Sequence, residues 1–338
     1  EDRKGSHPLH LDERIPDGTL LYQAYLAWGR RFTDHVLGAF SLVIYDEQKK
    51  SCILFTDHTG NRSLYYCIAE QTIYFATVFA PLLAVLPKAY TRLNEKWMVA
   101  CELDTTPIME FYPELTPFQE IHQVLPGHSV TVLLNGSRME INENCYWGFH
   151  RSKPLKFRTQ EEYRELFIKT LNECVTSVLR SRKNTGITLS SGLDSSSVAC
   201  VAVKALEGMN QKLYSFTSVP LPEHEEKYDP YYITDETAGV RCICEAYPGI
   251  DPEFVSCEGK NACSELKSMV RYLEFPHKSR QNMVWLDEIY ERAAIKSCNV
   301  VLKGQFGNAT ISQGKILSRV YDEIKRLHFK TAYHEADM

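Results

Sequence analysis

The segment Gly186–Cys200, GITLSSGLDSSSVAC, restricts the folds open to this chain more than any other stretch does. A β-branched and apolar run leads into nearly consecutive small and acidic residues, and a helical pattern follows at once. A turn needs only one or two small residues, so this composition indicates a backbone shaped around a ligand. A strand that feeds a helix through such a loop is typical of a parallel α/β sheet.

The residues around this loop alternate between strand and helix patterns, which predicts a doubly wound parallel sheet. Upstream, apolar residues keep helical spacing over Glu161–Arg180. The later pattern predicts strands at Thr185–Leu189, at Leu213–Val219, near Phe254 and at Asn299–Leu302, and helices at Ser195–Leu206, at Thr234–Ala246, at Met283–Lys296 and from about Lys315.

The first half of the chain has strand character instead. We expect three strand pairs, preceded by an amphipathic helix within Gly18–Val36. A polar stretch around Pro154 predicts a linker, and therefore domains over residues 1–150 and 151–338. The three pairs are GAFSLVIYD with SCILFTD, SLYYC with TIYFA, and the two halves of SVTVLLNGSRMEI, which turn at Asn135-Gly136.

The composition excludes several classes of partner. The net charge is -5 and the basic residues form no block, so we expect no nucleic-acid partner. The apolar runs are too short to cross a bilayer, so we expect no membrane partner. Eleven cysteines are scattered without the spacing of a metal site, which favours reduced thiols and a cytoplasmic protein.

The loop within Gly186–Cys200 has the chemistry of a phosphate site. In a doubly wound sheet, ligands bind beyond the carboxyl ends of the strands, where backbone N–H groups, hydroxyls and a helix N-terminus favour an anion. Asp194 fits this site if a divalent cation bridges its carboxylate and the phosphates. The alternative is a helix N-cap at Asp194 or Ser195.

The loop also resembles the Ser-Gly-Gly-x-Asp-Ser-Ser pyrophosphatase loop of asparagine synthetase and its relatives. LYSFTSVP is similar to the next strand of that family, and VVLKGQFGNATIS is similar to its Leu-Ser-Gly-Glu-Gly-x-Asp-Glu loop. DGTLLYQAYLAWG, LGAFSLVIYD and TDHTGNRSLYY match, in order, the later part of the family's glutaminase domain. The resemblance implies an α/β chain: a partial αββα glutaminase-like (Ntn-type) sandwich, followed by a doubly wound parallel-sheet ATP pyrophosphatase domain.

This resemblance implies ATP and Mg²⁺ as cofactors and assigns a role to individual residues of the second domain. Asp194 would bind magnesium, and Gly304 would lie at the AMP end. The pyrophosphate would be held by Ser190, Ser191, Gly192, Ser195 and Ser196, and the adenosine site would be lined by Leu189, Ser215, Thr217 and Ser218.

Three departures from the family pattern in this domain bear directly on its chemistry. Ser191 replaces the first glycine of the loop, which would strain the backbone if that position required a positive φ. Gln305 stands at the position of the catalytic glutamate, and its carboxamide cannot act as a general base. Asn308 replaces an aspartate that helps to bind the metal. Magnesium would then be held by Asp194 and the phosphates alone.

The glutaminase half implies a glutamine site with one residue that can be named. Asp17 falls where the family has the aspartate that grips the α-amine of glutamine, and its alternative role is a helix N-cap before Gly18. The family's N-terminal cysteine nucleophile, its Asn-Gly-Glu segment and its last helices have no counterpart in the sequence. We therefore expect an internal portion of a longer protein.

Taken together, the resemblance predicts an asparagine synthetase-like ligase of the glutamine-hydrolysing type. The acid would be a small-molecule or peptide carboxylate, and the nitrogen would come from glutamine-derived ammonia or from a substrate amine; a homodimer is one assembly that the resemblance allows. Two alternatives remain open. One is a ring-closing relative such as a β-lactam synthetase or a lasso-peptide cyclase, and the other is a nucleotide-binding protein that does not catalyse.

Overall fold

The computed structural model divides the chain into two compact units. The first comprises residues 1–153 with 274–278, and the second comprises residues 154–273 with 279–338. No helix among the residues described is both long and apolar enough to cross a membrane. The structure describes residues 15–103, 112–135, 138–150, 155–181, 183–223, 233–261, 263–264, 266–274, 280–307, 320–321, 324–325, 328–330 and 333.

The first unit contains seven strands in two antiparallel sheets among its described residues. The strands are β1 (Ser41–Asp46), β2 (Ser51–Thr56), β3 (Tyr65–Ala69), β4 (Thr72–Ala76), β5 (His122–Gln123), β6 (His128–Asn135) and β7 (Arg138–Cys145). One sheet has the order β1-β2-β6-β7 and the other β4-β3-β5. The helices are α1 (Asp17–Trp28), α2 (Phe79–Val85) and α3 (Glu95–Leu103). All three expected strand pairs are present.

These elements stack in four layers, and β2 shows why. Every residue of β2 is buried, because both of its faces are covered. Phe55 packs in one cluster with Ala24 of α1. Leu54, on the opposite face, packs with Tyr66 of the second sheet. The far side of that sheet packs against α2. The helix–sheet–sheet–helix order confirms the predicted αββα sandwich.

The first helix ends earlier than its apolar pattern predicts. The expected helix within Gly18–Val36 stops at Trp28, and a 3₁₀ helix follows over Gly29–Asp34. Gly29 has a φ of 58°, which glycine adopts without the steric cost that a Cβ brings. The chain leaves the helical conformation at this glycine, so the prediction was wrong for the second half of the segment.

The second unit is built on a parallel sheet of order β10-β9-β8-β11. Val240 packs in a core cluster on one face of this sheet, whereas Ile289 packs in a second cluster on the other. Helices on both faces confirm the doubly wound prediction. The strands are β8 (Asn184–Thr188), β9 (Leu213–Ser218), β10 (Ile250–Val255) and β11 (Cys298–Leu302), and the helices are α4 (Gln160–Val178), α5 (Leu193–Glu207), α6 (Thr237–Ala246), α7 (Leu266–Leu273) and α8 (Arg280–Ile295).

A cluster of charged side chains lies beside α8 around Glu288, which is 8% exposed. Lys260 Nζ lies 2.6 Å and Arg292 Nε lies 2.8 Å from the Glu288 carboxylate. Hydrogen bonds from Lys260 and then from Arg292 hold the pKa of Glu288 below its usual value. Both cations also contact a further carboxylate, Glu291 and Glu253 respectively.

Glu288→Gln is expected to lower the free energy of unfolding by about 1.5–3 kcal/mol at pH 7, because two charge-assisted hydrogen bonds become neutral. Since folding lowers the pKa of Glu288, the full contribution is present above the ordinary glutamate pKa of about 4.3 and is lost as the pH falls through the folded-state pKa. Urea titrations from pH 7 to pH 3 should show the gap between parent and variant closing.

The exposed Glu165 of α4 supplies the matched control. Glu165→Gln should change the free energy of unfolding by no more than about 0.5 kcal/mol at either pH. A Glu288→Gln gap that stays constant with pH would contradict the assigned ion pairs.

Candidate functional site

A cavity of about 760 Å³ opens where β8, β9 and β11 end. The first three strands of the second unit, β8, β9 and β10, run outward in order, and β11 then pairs on the other side of β8. The strand order therefore reverses between β8 and β11, which is the position where doubly wound sheets bind ligands. The volume lies within the range of small-molecule sites.

The loop between β8 and α5 is held by its own serine hydroxyls. We call residues 189–196, which run from the end of β8 into the first turn of α5, the nucleotide loop, after the role that the resemblance predicts for them. Ser195 is buried, and its Oγ lies 2.7 Å from the Oγ of Ser190 and accepts the Ser190 N–H at 3.1 Å. The Gly192 N–H donates to Ser190 Oγ at 3.2 Å. The loop is therefore preorganised by hydrogen bonds between its own residues.

The helix cap does not account for the acidic residue in this loop. Helix α5 has Gly192 as its N-cap and no side-chain cap bond, so neither Asp194 nor Ser195 is the cap. Asp194 lies in the first helical turn and lines the cavity. Its negative charge is favourable beside the helix N-terminus, and a carboxylate is a ligand type that divalent cations such as magnesium prefer.

The segment after β11 closes on the nucleotide loop at two glycines. A Cβ on Gly304 would lie 2.5 Å from the backbone nitrogen of Ser195, and one on Gly307 would lie 2.2 Å from Cγ of Asp194. The structure therefore brings together the two loops that the sequence pattern paired. Gln305, between these glycines, lines the cavity.

Most of the residues predicted for the nucleotide site line this cavity, and three do not. Ser191 directs its N–H to Glu236, at 2.6 Å. Ser196 donates its hydroxyl to the Gly192 carbonyl at 2.9 Å. Ser215 is fully buried, on the same face of β9 as Thr217 but farther from the carboxyl end. The predicted residues that line the cavity are Leu189, Ser190, Gly192, Asp194, Ser195, Thr217, Ser218, Gly304 and Gln305.

The expected strain at Ser191 is not present, because this residue is not among the described residues with positive φ. A strained φ is found instead at Phe306, at 67°. In the sequence pattern that this segment resembles, the residue at that position is glycine.

The cavity also has lining residues that the sequence pattern missed. Phe216, Trp285 and Ile289 form an apolar part of the wall, and Glu236 adds a second carboxylate. Trp285 and Ile289 come from α8. The apolar spacing predicted this helix, but it did not indicate that one face of the helix lines a ligand cavity. Glu236 precedes α6, where an acidic residue at a helix start indicates only a favourable interaction with the helix dipole.

Two other predicted residues remain to be placed. Asp17 is the first residue of α1, is exposed, and follows Pro16, which is the N-cap. Its predicted role in glutamine binding therefore stays a prediction. Asn308 and the start of the helix expected from about Lys315 lie outside the described part of the chain, whereas residues 320–321, 324–325, 329–330 and 333, beyond that start, are helical.

The cysteines and acidic residues that the structure describes form no separate metal centre. All eleven cysteines lie in the described part of the chain, and none of them is in a disulfide bond. Within the described residues, no group of three or more His, Cys, Asp or Glu side chains is arranged to hold a metal ion. A magnesium ion bound together with nucleotide phosphates needs only one or two protein carboxylates, so Asp194 suffices as a donor for such an ion.

Two family profiles match the chain in succession. The profile described as glutamine amidotransferase domain matches residues 14–147, and the profile described as asparagine synthase matches residues 166–314. The first match coincides with the αββα sandwich and the second with the parallel-sheet unit that contains the cavity.

Individual relatives agree with these matches. Amidase chyE of Penicillium rubens is 26% identical over 86% of this chain and 42% of its own length. Amidase chry2 of Gibberella zeae is 28% identical over 77% of this chain and 37% of its own length. Asparagine synthetase (glutamine-hydrolyzing) 3 of Bacillus subtilis is 24% identical over 70% of this chain and 38% of its own length. The chain thus spans less than half the length of these relatives.

Proposed function

We propose that this chain, which joins the two domains of the glutamine-hydrolysing asparagine synthetase family, is the core of an ATP-dependent amide-forming ligase. The carboxylate oxygen of the acid attacks the α-phosphorus of ATP, an acyl-AMP forms, and pyrophosphate leaves. An amine then attacks the acyl carbon, the amide forms, and AMP leaves with the proton balance completed by solvent. The observation that carries the proposal is the cavity, which combines the serine-rich nucleotide loop, the N-terminus of α5 and the Asp194 carboxylate.

The residues of this cavity divide into a polar and an apolar part. The polar part, with Ser190, Gly192 and Ser195, suits the pyrophosphate, because hydroxyls and backbone N–H groups at a helix N-terminus bind phosphate oxygens. The apolar part, with Phe216 and Trp285, suits the flat adenine ring. Binding in this orientation holds the α-phosphate for in-line attack by the carboxylate.

The donor set fits magnesium with Asp194 as the protein ligand. Carboxylate and phosphate oxygens are the ligands that Mg²⁺ takes in nucleotide sites. The ion, when bound, neutralises the charge that builds up on the phosphates. Asp194 would orient the ion. Without the ion, the Asp194 carboxylate would repel the negatively charged nucleotide.

Both reactants remain to be identified, and the relatives indicate where to begin. Because some relatives are named asparagine synthetases and others amidases, aspartate is the first acid to test and amide-bearing products are the first to seek. The glutamine amidotransferase domain favours ammonia from glutamine as the nitrogen source, with Asp17 as a candidate contact of the glutamine amine. A substrate that carries its own amine would give the ring-closing alternative.

The second candidate function is nucleotide binding without catalysis. Gln305 favours it, because it lines the cavity where the family pattern has a glutamate and a carboxamide cannot act as a general base. If the ligase reaction does take place, the Gln305 amide would donate a hydrogen bond to an oxygen that gains negative charge.

The experiment that tests the proposal identifies the products of ATP. The complete protein is incubated with ATP, Mg²⁺, glutamine or ammonium, and a panel of carboxylic acids headed by aspartate. A ligase gives AMP and pyrophosphate in equal amounts, together with one amide. Formation of ADP and phosphate would refute the proposal. ATP binding with no turnover for any acid would favour the second candidate.

A further inference from the structure

The turn that begins α6 contacts the nucleotide loop at Ser191 through a carboxylate. The Ser191 N–H donates to Oε2 of Glu236 at 2.6 Å, and the Ser191 hydroxyl lies 3.4 Å from the same oxygen. A short bond to an ionised acceptor is stronger than one between neutral groups. The peptide between Ser190 and Ser191 is therefore oriented by a residue 45 positions farther along the chain.

A second contact of the same turn depends on the absence of a side chain. A Cβ placed on Gly239 would lie 2.5 Å from Cβ and 3.3 Å from Oγ of Ser191. Real Cβ atoms do not approach this closely, so the serine in the loop requires the glycine in α6. Ser191 stands where the family pattern has glycine, and Gly239 supplies the space that its side chain takes.

The backbone of this turn is itself held by local hydrogen bonds to a side chain. Asp235 Oδ1 accepts the Thr237 N–H at 2.9 Å and the Thr237 hydroxyl at 2.5 Å. These bonds hold the backbone on both sides of Glu236. A carboxylate held in this way can set the shape of the loop rather than follow it.

We propose that Glu236 and Gly239 are positioning residues that set the conformation of the nucleotide loop through Ser191. The Ser191 N–H therefore donates to Glu236. The hydrogen-bond donors that contact the phosphates come from the other residues of the nucleotide loop. This inference rests on the proposed function of the loop as the pyrophosphate site of ATP.

The first test changes Glu236 and measures the Kd for ATP with Mg²⁺ by calorimetry on the complete protein. Glu236→Gln and Glu236→Ala are expected to weaken ATP binding by about tenfold or more, and the alanine variant should bind ATP more weakly than the glutamine variant. The reason is that the loss of a hydrogen bond to a charged group loosens the loop. Glu245→Gln, an exposed position near the other end of α6, removes the same charge and should bind like the parent. Tighter ATP binding by Glu236→Gln would overturn the proposal, because the carboxylate would then only repel the nucleotide.

The second test is a double-mutant cycle between Ser191 and Gly239. Gly239→Ala alone should weaken ATP binding and lower the melting temperature, since its methyl group collides with Ser191. Ser191→Gly with Gly239→Ala should recover both properties, because the colliding atoms are gone. Ser191→Gly alone is the reference for the double variant, which should match it in both measurements.

The two readouts separate the failure of this inference from the failure of the proposed function. A parent that binds no ATP refutes the proposed function, and the inference that rests on it falls with it. A parent that binds ATP while Gly239→Ala binds equally well refutes the inference alone. Loss of binding in Gly239→Ala that Ser191→Gly does not restore would also overturn it, since the effect would then not act through Ser191.

Discussion

Asp57→Ala is expected to lower the free energy of unfolding of the first unit by about 3–5 kcal/mol, because several backbone donors lose one shared acceptor. Asp57 is 1% exposed. Its Oδ1 accepts the N–H groups of Thr59 and Asn61 at 3.0 and 3.1 Å, and its Oδ2 accepts those of Phe40 and Arg62 at 3.2 and 3.1 Å. Phe40 is itself buried, so water cannot replace the carboxylate there without cost.

The measurement is urea unfolding followed by tryptophan fluorescence, since three of the four tryptophans lie in residues 1–153. Asp57→Asn should be destabilised less than Asp57→Ala, because one carbonyl oxygen is kept while an NH₂ group faces the remaining donors. Asp34→Ala is the control, since Asp34 forms an exposed pair with Arg31. Equal stability of Asp57→Ala and Asp34→Ala would contradict this role of Asp57.

Gly304→Ala is expected to weaken ATP binding by about 100-fold, because it displaces the nucleotide loop from its working geometry. The added Cβ would lie 2.5 Å from the nitrogen and 2.7 Å from the Cα of Ser195, and 2.9 Å from the carbonyl carbon of Asp194. All three are backbone atoms, so no side-chain rotation can relieve the contact. Either the segment after β11 or the start of α5 has to move.

Gly208→Ala is the matched control in the same unit. A Cβ on Gly208 would lie 3.4 Å from its nearest neighbour, and Gly208 has a φ of -60° that alanine adopts freely. This variant should bind ATP as the parent does in a calorimetric titration. Equal ATP affinity of Gly304→Ala and Gly208→Ala would show that the nucleotide does not bind at the Asp194–Ser195 part of the loop.

The layout of the fold could be predicted from the sequence because its signals are local. Alternating apolar residues and a turn dipeptide defined the hairpins of the first unit, and strand–helix alternation defined the parallel sheet of the second. The end of α1 was missed because apolar residues continue past Gly29, whereas its positive φ ends the helix.

The nucleotide site could be predicted only in part, for a similar reason. The loop itself is contiguous, so Ser190, Asp194 and Ser195 could be named from their order. Glu236 and Trp285 reach the same cavity from distant segments, and no local spacing connects them to the loop. Ser215 was included because its strand was correct, but its depth in the sheet depends on where β9 ends.

We expect the nucleotide loop to bind ATP together with magnesium through Asp194. The most direct measurement is a calorimetric titration of ATP into the parent and into Asp194→Asn, each with and without Mg²⁺, alongside thermal unfolding. The parent should bind ATP only weakly without Mg²⁺. Asp194→Asn should lose the gain in affinity from Mg²⁺, while its free energy of unfolding changes by no more than about 1 kcal/mol. Unchanged affinity and unchanged Mg²⁺ dependence in Asp194→Asn would contradict this expectation.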